Sequence, residues 1–235
     1  MASEETESNA RRRGHPFDLA FALTLGAEIY DFLGDPAALL RRSEEAERIG
    51  REYGLSLLGE ILAEITHGIA WLRSGRVAEG TARLGQAIER LKQTGHRIWI
   101  SYLEAVQAQG LALSGKLERA WSLIEQAVGQ SEASEERSHY AEILRLRGWL
   151  LIQRGEFGLA ESTLCKAIDA ARAQLAKSWE LRAATTLARL LADQGRRSEG
   201  LAVLKPVLES FEEGQNTSDF RESRRLLDEL ASPKA

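Results

Sequence analysis

The sequence predicts an all-α repeat protein, five helix pairs stacked into a solenoid and closed by one further helix. Three observations lead there. Ala, Leu, Glu and Arg are abundant while only four prolines occur in 235 residues, and straight side chains lose little rotamer freedom in a helix. Five turns recur at an almost fixed interval, Leu33-Gly34-Asp35, Ser74-Gly75-Arg76, Ser114-Gly115-Lys116, Arg154-Gly155-Glu156 and Gln194-Gly195-Arg196, with glycines 41, 40, 40 and 40 residues apart. Around each glycine the same residue types return.

Seven residues before the glycine stand Ala27, Gly68, Ala108, Gly148 and Ala188, and four before it Tyr30, Trp71, Leu111, Leu151 and Leu191. Twelve after it stand Ala46, Ala87, Ala127, Ala167 and Val207. Five after it, Gly80, Ala120, Ala160 and Gly200 are small and only Leu39 is large. Small residues let two helix backbones approach, and large neighbours fill the flanking holes. Gly inside a helix costs about 1 kcal/mol relative to Ala, so Gly68, Gly80, Gly148 and Gly200 mark places where another helix passes close. A helix pair of this kind cannot bury both apolar sides alone, so successive pairs must stack.

The expected pairs run over residues 17–53, 56–93, 97–132, 138–173 and 178–213, and a capping helix over 218–231. Leu226, Leu227 and Leu230 give that last helix one apolar face. Residues 1–16 read as a disordered leader, 17–231 as the repeat domain and 232–235 as a tail. The polar link from Ser131 to Ser138, with Glu135 and Glu136, is the expected flexible point. Trp99 and Trp179, at one phase of the repeat, are expected to pack the start of a pair on its predecessor.

This pattern of large, small, turn glycine, small, large and small resembles the tetratricopeptide repeat, from about Phe17 to Phe211. The resemblance implies a right-handed α-solenoid of extended, roughly 40-residue units, against 34 in the ordinary repeat. A narrower likeness runs through Lys177-Ser178-Trp179-Glu180-Leu181-Arg182-Ala183-Ala184, Gln194-Gly195-Arg196-Arg197 and Asp219-Phe220 to Leu230. It is similar to the C-terminal helical-repeat region of bacterial signalling ATPases with nucleotide-cyclase or DNA-binding output domains. That implies a protein-contact or sensor segment, without the activities of the ATPase or cyclase portions.

The tetratricopeptide resemblance also implies a binding surface. Its groove positions fall on the first helix of each pair, thirteen, ten, six, three and two residues before the turn glycine. The candidate binding residues carried over in this way are Leu62, Ile65, Ile69, Tyr102, Arg145, Trp149, Arg182 and Arg189. Asp31, Arg73 and Gln109 occupy the same register. One half is apolar and the other carries arginines, whose forks suit a carboxylate or phosphate. An extended or helical peptide with an apolar half and an acidic end would match. Two alternatives stay open: the apolar residues as ordinary core, and the arginines as internally salt-bridged. The expected function is a protein-interaction adaptor or regulatory module, with a sensor of a small anionic effector as the alternative.

Other chemistry is not indicated. Net charge is −4, no basic excess for nucleic acid. No apolar run reaches the length of a membrane span, and the expected location is cytoplasmic. Gly110 to Lys116 has the spacing of a phosphate loop, but Leu117 replaces the Mg²⁺-binding hydroxyl and no strand precedes it. His15, His67, His96 and His139 are isolated, so no metal or other cofactor is expected. Cys165 is the one cysteine and is expected to pack as a core thiol. No nucleophile–base constellation points to an enzyme. Partners are expected to be a protein or peptide, with self-association through the Leu-rich end helices or the apolar groove as a further expectation.

Overall fold

The computed structural model describes residues 2–134 and 137–232, with the side chains of residues 2 and 3 left aside. The expected acidic pair Glu135/Glu136 lies outside the described residues. The helices are α1 (Ala2–Arg13), α2 (Pro16–Leu33), α3 (Pro36–Tyr53), α4 (Ala63–Arg73), α5 (Val77–Gln93), α6 (Ile100–Leu113), α7 (Leu117–Ala133), α8 (Tyr140–Gln153), α9 (Phe157–Ala173), α10 (Lys177–Asp193), α11 (Arg197–Glu209) and α12 (Ser218–Ala231). A π-helical segment, Ser56–Leu62, runs directly into α4. No strand occurs among the described residues.

The chain forms two units, Met1–Gly115 and Lys116–Ala235. In the first, consecutive helices pack and α2 also meets α4. In the second, consecutive helices again pack, α8 meets α10, and α10 meets α12. Within each unit, first helices of successive pairs therefore meet, α2 with α4 and α8 with α10, as stacking of paired repeats requires.

The turn chemistry is local. Gly34 closes α2 in the left-handed conformation at φ 67, Asp35 caps α3 by accepting from the Ala38 N–H, and Pro36 opens it. Each of the three residues fits its position: no Cβ to clash, a short acceptor, and a fixed φ. The other four turn glycines share the left-handed conformation. The small positions inside the helices hold as expected. A Cβ on Gly80 would stand 2.5 Å from the Leu72 nitrogen, and one on Gly200 2.8 Å from the Ala188 carbonyl.

Two expectations are corrected. Residues 2–13 are not a disordered leader but helix α1. Only Ala10 of its described residues is buried, and ion pairs hold the rest: Arg11 with Glu7 and Glu45, and Arg42 with Glu7. Clustered charges within helical reach were legible at Glu7 and Arg11, but their partners on α3 lie more than thirty residues away. Because α1 buries so little apolar surface and the Arg11 pairs are partly exposed and screened by salt, α1 amides are expected to exchange fastest of all the helices. Raising NaCl to about 0.5 M should speed their hydrogen exchange without affecting α2. An unchanged α1 rate would show that charge does not hold it.

Cys165 is the second correction, since it is exposed rather than packed. The register of α9 turns Leu164, Ala167, Ile168 and Ala171 inward, which leaves position 165 outward. Partial desolvation and the Glu161 and Asp169 carboxylates push its thiol pKa up, away from a reactive thiolate.

Candidate functional site

Four of the expected site residues meet in the first unit. Leu62 ends the π-helical segment, Ile65 and Ile69 follow on α4 at helical spacing, and Tyr102 lies on α6. All four line one cavity of about 50 Å³, together with Leu25 and Asp31 of α2. Most of its open wall is apolar, although Thr24, Glu28 and Thr66 also border it. Ile65, Ile69 and Tyr102 are buried, so much of this region is core, with the cavity as its unfilled remainder. Trp99 lines the same cavity. It precedes α6 with φ 65, a conformation uncommon for a bulky side chain, and so differs from Trp179, which sits inside α10 and is buried.

The π-helical segment carries the closest backbone approach at any glycine of the described residues. Gly59 stands directly against Gly50 of α3, where a Cβ on either would lie 2.2 Å from the other's Cα. Backbones approach here more closely than at Gly68 and Gly80, and Thr24 Oγ1 of α2 donates to the Leu58 carbonyl at 3.4 Å. Single π turns occur often at functional places in helices. The turn-glycine register gives no sign of it, because position 59 falls outside the repeated small positions.

At one side of the cavity, groove-register residues of three successive repeats join. Asp31 is buried and accepts from Arg73 Nε at 2.8 Å and from the Tyr102 hydroxyl at 3.3 Å. Arg73 also donates to Gln109 Oε1 at 2.8 Å. The carried-over register therefore does bring these positions together. Nearer the start of α2, Phe17 and Phe21 are 47% and 46% exposed and stack with ring centroids 6.2 Å apart. Leu25 lies one turn after Phe21 on the same face, so the exposed apolar band leads to the cavity wall.

The remaining candidates lie in the second unit. Arg145 Nε and Nη2 donate to the two carboxylate oxygens of its neighbour Glu142, at 2.7 and 2.8 Å. Glu142 is 1% exposed, so Arg145 serves to neutralise a buried charge. Arg182 pairs with Asp219 of α12 and stands 3.7 Å from Glu142. Arg189 bonds Glu222 at 3.0 Å, and between these two links Thr185 and Ser223 hydroxyls share a bond of 2.7 Å. The arginines of α10 thus belong to a polar ladder that fastens α12, with Phe220, Leu226, Leu227 and Leu230 buried in the core of that unit. Trp149 is half-buried on α8, one turn from Arg145. Of the three expected arginines, Arg189 alone is more than half exposed.

A buried charge cluster that the sequence did not indicate lies at α3, α4 and α5. Glu47 accepts from His67 Nδ1 at 2.7 Å and from Arg83 at 2.6 Å. His67 meets Trp71 edge-on at 4.6 Å, and Trp71 is flanked by Arg76 and Arg83. Burial pushes the Glu47 carboxyl up, but the His67 hydrogen bond and the charges of His67, Arg83 and Arg51 outweigh it and hold the carboxyl below its ordinary value. Among the described residues no group of three His, Cys, Asp or Glu could hold a metal ion, and no helix is long and apolar enough to cross a membrane. Gly110, the first glycine of the phosphate-loop near-match, lies within α6 against Thr81 and Leu72.

No family model and no curated protein sequence matches this chain. Solved structures do. A kinesin light chain-like protein of Podosopora anserina with nearly identical TPR-like repeats superposes at TM-score 0.55 and 16% identity, over 93% of this chain and 99% of that one. A single-substitution variant of it gives 0.57 and 18%, over 82% and 94%. The apo form of RapI gives 0.58 and 12%, over 98% and 97%. At these identities the likeness is one of fold: the chain is an all-helical protein of TPR-like repeats.

Proposed function

We propose that this chain is a protein-interaction module that seats an apolar side chain of a partner segment in the cavity of its first unit. The observation that carries this reading is the cavity itself, bounded by Leu62, Ile65, Ile69 and Tyr102 and approached by the exposed Phe17 and Phe21. A buried aromatic or aliphatic anchor is the usual source of affinity at an interface, and stacked aromatics offer large contact area at low entropic cost. The network of Asp31, Arg73, Tyr102 and Gln109 holds one side of the cavity in place, so little ordering remains to oppose binding. The likeness of residues 177–230 to the repeat region of signalling ATPases makes regulation the proposed setting.

A peptide-display selection against the full chain tests this reading. Enriched peptides are expected to share one large apolar residue. Leu25→Trp, which places an indole at the half-buried cavity wall, should weaken them at least about tenfold, a loss of about 1.4 kcal/mol, with helix content unchanged. Phe21→Ser should weaken them less, because the removed ring lies on the approach. Enriched peptides without a common apolar residue, or unchanged binding to both variants, would sink the proposal.

A further inference from the structure

The second unit holds a recess of a different chemistry. Its volume is about 360 Å³, and Arg189 of α10 lines it with Ser218, Arg221, Glu222, Arg225 and Glu229 of α12. The α12 residues recur at three- and four-residue steps, so one helix face supplies them. Three guanidinium groups stand against two carboxylates there. Arg221 and Arg225 are one turn apart, a like-charge spacing that weakens a helix. Glu222 and Glu229, three and four residues from Arg225, offset that repulsion only in part, which leaves the recess with an excess of positive charge.

The pairing of these arginines is incomplete. Arg221 donates to the Asn216 backbone carbonyl at 2.7 Å. Arg225 makes no hydrogen bond or ion pair with the described residues. Arg189 and Glu222 are both more than half exposed, and a pair of that kind exchanges readily for a better one. Ser218 opens α12 and also lines the recess, which adds the positive end of a helix dipole.

We propose that this recess binds the phosphoryl group of a small phosphorylated molecule. A single carboxylate would only reproduce the contact that Glu222 already makes with Arg189. A phosphoryl dianion offers three oxygens and twice the charge, so it can displace Glu222 and engage the forks of Arg189, Arg221 and Arg225 together. The volume falls within the range of small-molecule sites, about 300–1,000 Å³. The site lies in the second unit and shares no residue with the apolar cavity, so it stands or falls independently of the peptide reading.

Calorimetric titration of the full chain with inorganic pyrophosphate and, separately, with phenyl phosphate tests the assignment at constant ionic strength. Saturable binding of either is expected. Arg221→Gln and Arg225→Gln should each weaken it roughly tenfold, the usual scale for one charge-assisted contact. Glu222→Gln should tighten it by removing the competing carboxylate, whereas Glu212→Gln, an equal change of charge elsewhere, should not. Arg224→Gln, on the turn of α12 that approaches Phe220 at 5.8 Å, should leave binding unchanged. No saturation at millimolar probe would overturn the proposal, as would equal losses in Arg224→Gln and Arg225→Gln, which would mean diffuse surface charge. A phosphoserine peptide binding more than tenfold tighter than phenyl phosphate would overturn the small-molecule assignment in favour of a protein partner.

Discussion

Glu47→Gln is expected to cost the first unit about 2–3 kcal/mol of unfolding free energy at neutral pH, more than any single surface charge. Removing one member of a buried ion pair leaves the other charged and unsatisfied, which in a fully buried pair costs about 3–5 kcal/mol. Here Arg83 keeps partial access to water at 22% side-chain exposure, so the lower figure applies. The pH dependence identifies the cause. A carboxyl whose folded pKa is depressed contributes stability above its unfolded pKa, about 4.3, and that contribution is lost as pH falls through the folded value. The stability difference between wild type and Glu47→Gln should therefore be constant above about pH 5 and narrow below it. Urea unfolding at several pH values measures this, followed by fluorescence in a background where Trp99, Trp121, Trp149 and Trp179 are replaced by Phe, so that Trp71, which contacts both His67 and Arg83, gives the signal. A difference of the same size at pH 3 would show that the charge of Glu47 is not responsible.

The second large effect concerns Gly59. A Cβ there would stand 2.2 Å from the Gly50 Cα and 3.0 Å from the Ala46 carbonyl oxygen. Both obstacles are backbone, so no rotamer change relieves them and α3 must part from the π-helical segment. Gly59→Ala is expected to cost about 3 kcal/mol or more, the upper end for overpacked cores. Gly129→Ala provides the contrast. Gly129 lies within α7 and a Cβ there meets nothing within 4 Å, so helix propensity alone should stabilise that variant by about 0.5–1 kcal/mol. Equal behaviour of the two variants in urea unfolding would refute the close approach. Leu62 ends the same segment and lines the cavity, so Gly59→Ala should also weaken peptides selected for the apolar site.

Much of the helical plan was legible because it is periodic. The turn glycines Gly34, Gly75, Gly115, Gly155 and Gly195 are all left-handed, and the small residues at 68, 80, 148 and 200 all face a close neighbour. These requirements are local or recur with the repeat, so each leaves a mark at a fixed interval. The capping helix was legible for the same reason, since Leu226, Leu227 and Leu230 lie on one face and are buried. The sequence by itself therefore determined the helix pairs and their small contact positions, while the register that brings Asp31, Arg73, Tyr102 and Gln109 together was implied by the tetratricopeptide resemblance.

Only the tertiary structure decided which ionisable groups found partners and which did not. Arg145, Arg182 and Arg189 all fall on groove positions, yet Glu142 and Asp219 cover the first two while the third stands more than half exposed. The choice depends on where acidic residues happen to fall, Glu142 on a groove position of the fourth repeat and Asp219 on the capping helix, and a periodic pattern of small and large residues carries no information about charge. The docking of α1 through Glu45 and Arg42, the burial of Glu47 beside His67 and the π-helical turn at Gly59 are of the same kind. Each is a contact made once, between residues far apart in the chain, where packing rather than periodicity selects the partner.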